Sequence, residues 1–181
     1  MQIRRALFAV VVVMVLAAAG CSSSKGKAAQ HSATTSTSIA TKRNVAALAA
    51  YDGHLSTFAT MLNASGVLTV VGARGPYTVF APTNDAFAKL SHARLTELLS
   101  RAGKPALARL IGDHVVRGRL LLKDLKTGSR KTLSGATLRL TRTGDVVKLV
   151  GPNGKAATIA SGPLTASNGV VYRIDAVLAR A

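Results

Sequence analysis

The chain has 181 residues, of which 48% are hydrophobic, enough for one domain of ordinary size with extensions. Its 24 Lys and Arg residues against 7 Asp and Glu residues give a net charge of +17, which favours acidic partners. The single cysteine excludes an intrachain disulfide and a cysteine-based metal cluster. Because the basic residues are dispersed along the chain, a purely solubilising role is an equal alternative.

Residues 1–20 are predicted to be a secretory signal peptide. Arg4 and Arg5 precede an apolar run that starts at Ala6, and small residues end the run at Gly20. This order is typical of a cleaved signal. The run is also short for a bilayer span, which needs about 20 apolar residues.

Cys21 is predicted to be a site of lipid attachment. The segment LAAAGC resembles the lipobox of bacterial lipoproteins, although Ala18 stands where that family usually has Leu. The resemblance implies cleavage before Cys21, a thioether-linked diacylglycerol and an acylated amine, with fatty acids such as palmitate. Two or more acyl chains hold a protein on a membrane stably. An ordinary signal peptide with a chance cysteine is the alternative.

After the cysteine, the small and polar composition of residues 22–43 predicts a disordered stretch. Residues 21–43 are therefore expected to be a lipidated tether, and a flexible coil of about 20 residues reaches roughly 25 Å. The folded domain is expected to occupy residues 44–181.

Helices are predicted in the first half of this domain. One ends near Gly66, one ends near Gly103, and one has Pro105 in its first turn. The apolar positions at helical spacing are Leu55, Phe58, Ala59 and Leu62; Leu95, Leu98 and Leu99; and Leu107, Leu110 and Ile111.

The stretch YTVFAPTNDAF, residues 77–87, predicts a strand that turns directly into a helix. Pro82 ends the strand because it has no backbone donor. Thr83 is expected to cap the helix, and Asp85 places a negative charge in its first turn. A ligand or acid role for Asp85 is the less favoured alternative.

Strands are predicted in the second half, paired as an antiparallel sheet. ATLRLT and DVVKLV flank a turn at Thr143-Gly144, and GPNG, residues 151–154, forms another turn. Asn168-Gly169 has the composition of a positive-φ turn before the strand VVYRI. Helices followed by an antiparallel sheet give the class α+β.

Three separated segments resemble the fasciclin (FAS1) domain family. GPYTVFAPTNDAFAKL is similar to its first signature, LARLIGDHVVRGRLLLKDL to its central segment and SNGVVYRIDAVL to its C-terminal signature. The likeness covers about residues 45–181. It implies the FAS1 fold, a wedge-shaped two-sheet β-sandwich flanked by α-helices. It also implies an extracellular module for adhesion or protein binding rather than catalysis.

The integrin-binding sites of animal members are not carried over to this chain. Asp113 precedes His114 where many members have an aromatic residue. Residues 161–167, SGPLTAS, contain no acid where animal members have an acidic segment, and the chain has no Arg-Gly-Asp sequence.

No enzyme activity, metal site or cofactor is predicted. His54, His92 and His114 lack metal-ligand spacing. Asp113 and His114 are a less favoured candidate for an orienting carboxylate and a base, because adjacent residues rarely point at each other and no activated nucleophile accompanies them. No phosphate-binding glycine motif occurs. His114 is kept as a candidate polar site, with a structural role at a helix–strand junction as the favoured interpretation.

The densest basic stretch is a candidate binding patch for a sulfated or phosphorylated polymer, with a solvated face as an equal alternative. Nucleic acid is not expected, because stacking aromatics are scarce and the signal exports the chain. The patch consists of Arg117, Arg119, Lys123 and Lys126.

The preferred interpretation is a lipoprotein of the cell envelope, anchored on the outer face of the cell membrane or on the periplasmic side. Its single, monomeric FAS1 head binds an extracellular protein as a cell-surface adhesion module. One alternative is electrostatic binding of an anionic envelope or extracellular polysaccharide. The other is carriage of a small hydrophobic ligand, for which the sequence offers no specific residue.

Overall fold

The computed structural model describes residues 43–73 and 75–178. The predicted signal peptide, Cys21 and all of the predicted tether except Arg43 lie outside the described residues. Among the helices that are described, none has the length and apolar character needed to cross a bilayer.

Helices dominate the first half of the described chain and strands the second half, which confirms the class α+β. The helices are α1 (Val45–Tyr51), α2 (Ser56–Ala64), α3 (Leu68–Ala73), α4 (Asn84–Ala88), α5 (His92–Leu99) and α6 (Lys104–Asp113), with short 3-10 helices at Gly53–Leu55 and Leu122–Asp124. The strands are β1 (Tyr77–Pro82), β2 (Val115–Arg117), β3 (Gly128–Lys131), β4 (Thr137–Thr143), β5 (Val146–Val150), β6 (Ala156–Ala166) and β7 (Gly169–Ile174).

The seven strands form one sheet in the order β2-β1-β7-β6-β5-β4-β3. The expectation of a purely antiparallel sheet is wrong for one pair, because β1 runs parallel to β7 from Tyr77↔Gly169 to Pro82↔Ile174. Nearly the whole domain connects these two strands. No tight hairpin therefore forces them to run in opposite directions.

The sheet bends at β6 into the two layers of the sandwich, β2-β1-β7-β6 and β6-β5-β4-β3, so both layers contain this strand. Its first residues, 156–158, pair with β5, while residues from Ile159 to Ala166 pair with β7. The register shifts on both sides of Ser161, as bulges that bend a strand do. Val116 lies on β2, at one edge of the sheet, and forms a β-bridge with Thr132, which follows β3 at the opposite edge. The sheet is thus bent on itself and nearly closed.

Two hydrophobic clusters fill the domain. The first lies between the helices and the β1–β7 region and includes Phe58, Phe87 and Leu107. The second lies inside the bent sheet, where the rings of Phe80 and Tyr172 stack with centroids 5.8 Å apart. Both clusters are otherwise mainly aliphatic, as expected from a composition without tryptophan.

The corner between β1 and α4 matches its prediction. The hydroxyl of Thr83 accepts a hydrogen bond from the amide of Ala86 at 3.3 Å, and Asp85 lies exposed in the first turn. The side chain of Asn84 accepts from the amide of Thr57 at 3.0 Å, so the corner also caps α2. These contacts are structural and give Asp85 no chemical partner in the described part of the chain.

The predicted turn at Asn168-Gly169 has a different cause from the one expected. Gly169 does not have a positive φ, whereas Gly144 in the β4–β5 turn does, at 61°. Gly169 is required by close approach, since a Cβ atom there would lie 2.0 Å from the carbonyl oxygen of Tyr77. Glycine at this position therefore lets β7 pair closely with β1.

Candidate functional site

His114 lies at the C-terminal end of α6 and is completely buried. Its Nδ1 is 2.8 Å from the carbonyl oxygen of Leu110, and its Nε2 accepts a hydrogen bond from the amide of Leu178 at 3.0 Å. A carbonyl can only accept and an amide can only donate, so the imidazole is neutral with its proton on Nδ1. Phe58 packs edge-on against the ring.

Burial lowers the pKa of His114 to about 4, against a smaller upward contribution from the hydrogen bond to Leu110. The ring is therefore neutral at physiological pH. Both of its nitrogens are engaged by backbone atoms. The arrangement leaves no nitrogen for a metal or for proton transfer to a ligand, and His114 instead connects α6 to the end of the described chain.

Asp113 and His114 do not form an orienting carboxylate and a base. The carboxylate of Asp113 is buried and accepts a short hydrogen bond from the hydroxyl of Ser134, in the β3–β4 connection. Both nitrogens of His114 are already taken by Leu110 and Leu178. Over residues 43–73 and 75–178, no group of three or more His, Cys, Asp or Glu side chains is placed to hold a metal ion.

The four residues of the predicted basic patch are all exposed but have different environments. Arg119 donates from its guanidinium to the carbonyl oxygens of Ala166, at 2.8 Å, and Ser167, at 3.1 Å. It therefore supports the β6–β7 turn as well as carrying charge. The other three are Arg117, Lys123 and Lys126.

An acid also sits within this patch. Asp124 closes the short 3-10 helix by accepting a hydrogen bond from the amide of Leu121 at 3.1 Å. Its carboxylate lies between Lys123 and Lys126 in the sequence and reduces the net positive charge of the stretch. The patch is thus less basic than its count of Lys and Arg indicates.

A groove of about 470 Å³ lies among α1, α2 and α3. Its volume is within the range of small-molecule sites, about 300–1,000 Å³. This groove was not predicted from the sequence. Its local signal is the run of alanines in NVAALAAY, whose small side chains leave space. The lining includes Ala47, Ala50, Ala59, Leu62 and Leu68, with Asn44 and Asn63 as polar members.

Comparison with known proteins gives a family and several relatives. The model of the Fasciclin domain family matches residues 53–180. Protein sll1483 of Synechocystis sp. is 34% identical over 131 residues, which cover 72% of this chain and 70% of that protein. Immunogenic protein MPB70 of Mycobacterium bovis is 39% identical over 104 residues, covering 58% of this chain and 50% of the relative.

A more distant relative is the transforming growth factor-beta-induced protein ig-h3 of Sus scrofa, 31% identical over 75% of this chain but only 19% of that protein. Among solved structures, the FAS1 domain pair of the insect cell adhesion molecule Fasciclin I superposes with a TM-score of 0.67 at 15% identity. The match covers 76% of this chain and about half, 51%, of the solved one, and it shows the fold alone. From the family match and the fold together, the chain belongs to the fasciclin domain family.

Proposed function

We propose that this chain is an exported lipoprotein, anchored through a lipid on Cys21, whose fasciclin domain binds an extracellular protein as a non-enzymatic adhesion module. The observation that carries the proposal is that the buried polar groups are used to hold the fold. His114 bonds two backbone atoms and Asp113 bonds Ser134. The described surface is then left for binding rather than for catalysis. The solved structural neighbour is named a cell adhesion molecule.

Anchoring is tested by changing Cys21 to Ala and separating the cells into membrane and soluble fractions. The unchanged chain is expected in the membrane fraction and the variant in the soluble fraction, because two or more acyl chains give stable attachment. Ser22→Ala is the matched control and should stay with the membrane. Retention of the Cys21→Ala variant by the membrane would contradict the lipid anchor.

Protein binding is tested by a pull-down from the producing cell's envelope with the full chain in detergent, at low and high salt. A specific protein partner retained at high salt supports adhesion through packed apolar and hydrogen-bonded contacts, since salt screens exposed charges. Retention of polysaccharide or anionic lipid alone, lost at high salt, would contradict it.

A second candidate function is electrostatic binding of an anionic polysaccharide through the predicted basic patch. It is supported by the exposure of Arg117, Lys123 and Lys126. The test is retention on immobilised heparin after all three are changed to Gln, with Arg119 left in place because it bonds the β6–β7 turn. Elution at unchanged salt concentration would remove this candidate.

A third candidate function is the carriage of a small hydrophobic ligand in the groove among α1, α2 and α3, whose lining is mostly apolar. Native mass spectrometry of the purified chain tests it. A bound lipid or pigment that is lost in an Ala47→Leu variant, which narrows the groove, would support it. Absence of any bound molecule from chain purified from its own cells counts against it.

A further inference from the structure

The strands β3, β4 and β5 present a polar face on the side away from the core. Along β4, Leu138 and Leu140 are buried in the second hydrophobic cluster, while Arg139 and Thr141 between and beyond them are exposed. Strand β5 repeats the alternation of buried and exposed residues, with the exposed Lys148 lying between the exposed Val146 and the half-buried Val150 on the same side. This period of two places the polar residues together on one surface, here called the outer face.

The register of the sheet aligns three cations on the outer face. Arg139 pairs with Ser129 on β3 and with Val150 on β5. Lys131 lies two residues from Ser129, and Lys148 lies two residues from Val150. Diagonal neighbours of this kind are about 7–8 Å apart. Lys131, Arg139 and Lys148 therefore form a regular diagonal across three adjacent strands.

Hydroxyl groups lie beside these cations. Lys131 pairs with Thr137, and its Nζ donates to the Thr137 hydroxyl at 3.1 Å. Lys148 pairs with Thr141 on one side and with Thr158 on the other. The outer face thus combines positive charge with hydrogen-bonding side chains at positions set by the register of the strands.

Among the described residues, no acidic side chain forms an ion pair with these three cations. Between residues 128 and 166 the only acid in the sequence is Asp145, which lies in the β4–β5 turn. Asp175 lies beyond β7 and accepts a hydrogen bond from the amide of Thr158. The two ion pairs found among the described residues, Arg94–Glu97 and Asp52–Arg173, use none of the three cations.

A depression of about 460 Å³ adjoins the diagonal where β5 leads into the next turn. It gives the outer face a concave region beside Arg139. It is lined by Thr137, Arg139, Val150, Gly151, Pro152 and Gly154.

We propose that the outer face binds an anionic polysaccharide through the Lys131–Arg139–Lys148 diagonal and its neighbouring hydroxyls. Regularly spaced cations suit a repeating anion, and hydroxyl side chains suit the hydroxyl groups of sugars. No aromatic side chain belongs to strands β3, β4 or β5, so bases have no platform on which to stack. The proposal goes beyond protein adhesion, and it replaces the second candidate function, because it places the polysaccharide on the outer face instead of on the Arg117–Lys126 patch.

The test compares two variants of the full chain in detergent that lose the same charge. One carries Lys131→Gln, Arg139→Gln and Lys148→Gln, and the other carries Arg117→Gln, Lys123→Gln and Lys126→Gln. Heparin is the sulfated probe, polygalacturonate the carboxylated probe and dextran the neutral one. Affinities are measured by biolayer interferometry from 50 to 200 mM salt, with thermal unfolding to show that both variants are folded.

The outer-face variant is expected to lose about tenfold in affinity for at least one polyanion, and the slope of log affinity against log salt should fall by about three. The patch variant should keep its affinity within about threefold, and dextran should not bind. Equal losses in both variants would show that net charge alone is responsible, and no loss in the outer-face variant would exclude this surface. Either result overturns the proposal.

A lipid headgroup is separated from a polysaccharide by a further arm with phosphatidylglycerol vesicles. Loss of vesicle binding in the outer-face variant without loss of heparin or polygalacturonate binding would overturn the assignment. The affinity and vesicle measurements do not depend on the protein pull-down. The adhesion proposal and the polysaccharide proposal can therefore fail separately.

Discussion

His114 acts as a buried connector between α6 and the segment that follows β7. It accepts the Leu178 amide only while Nε2 carries no proton. Protonation would remove that acceptor and bury a positive charge, which is why burial holds the pKa of His114 at about 4. His114, predicted from the sequence as a candidate polar site, thus stabilises the fold in a way that depends on pH.

We expect the free energy of unfolding to fall as the pH drops from about 6.5 to about 4. In the unfolded chain, His114 is protonated when the pH falls below its ordinary pKa of 6.5. In the folded chain, it stays neutral until the pH falls to about 4. The loss is on the order of 3 kcal/mol and is complete below both pKa values. Urea unfolding at pH 7 and pH 4.5 measures most of this loss.

The control separates the contribution of His114 to the pH dependence from the contributions of other groups. His114→Gln should be less stable at pH 7 and should show a smaller loss on acidification. His92→Gln, which changes an exposed histidine, should keep the full loss. An unchanged loss in His114→Gln would show that other groups cause the pH dependence.

Asn168 connects three elements through one side chain. Its Oδ1 accepts from the amide of Val45 at 2.8 Å, and its Nδ2 donates to the carbonyl of Val71 at 2.8 Å. Asn168→Ala should lower the free energy of unfolding by about 2 kcal/mol, since two partly buried backbone groups lose their partners. The exposed change Asn63→Ala should stay within about 0.5 kcal/mol. Equal effects in thermal unfolding would contradict this role.

Single elements were predicted where the sequence carries a local signal. The spacing of Leu55, Phe58 and Leu62 located α2, and the caps around Pro82 located the β1–α4 corner. The short helices α1 and α3 have too few turns for a clear apolar period. The parallel pairing of β1 with β7 also left no local trace, because it joins segments about ninety residues apart.

The candidate sites likewise divide into those with a local sequence signal and those that depend on contacts between distant segments. The basic stretch at 117–126 is dense along the sequence, whereas the outer face takes its three cations from three strands and becomes visible only through the register. The buried state of His114 likewise depends on Leu178, 64 residues away. Contacts between distant segments, rather than residue types, determine which candidates are structural.

Gly169 allows β7 to approach β1 closely, and replacing it should weaken the sheet. Gly169→Ala should lower the free energy of unfolding by at least about 3 kcal/mol, because the added Cβ would meet the Tyr77 carbonyl oxygen and separate β1 from β7. Gly53→Ala has no atom within 4 Å of the new Cβ and no positive φ, so it should be close to neutral. Similar urea midpoints for the two variants would contradict the close approach.

The domain formed by the described residues should unfold in one step, because β6 belongs to both layers of the sandwich. Leu149→Ala opens a cavity in the second cluster and should cost about 2–5 kcal/mol. Hydrogen exchange should then show faster exchange in α2 and α6 as well as in β4 and β5. Lys148→Ala, on the exposed side of the same strand, is the control. Faster exchange confined to β4 and β5 would show that the layers unfold separately.

The position of β7 has a consequence for the order in which the chain can fold during synthesis. It is the last strand in the described sequence, yet it lies between β1 and β6 in the sheet. Strand β1 has only the three residues of β2 beside it until β7 has been made. The domain therefore cannot complete its fold before β7 has left the ribosome. For a chain that is exported across the cell membrane, as proposed here, this delay leaves the domain incompletely folded until its last described strand has been made.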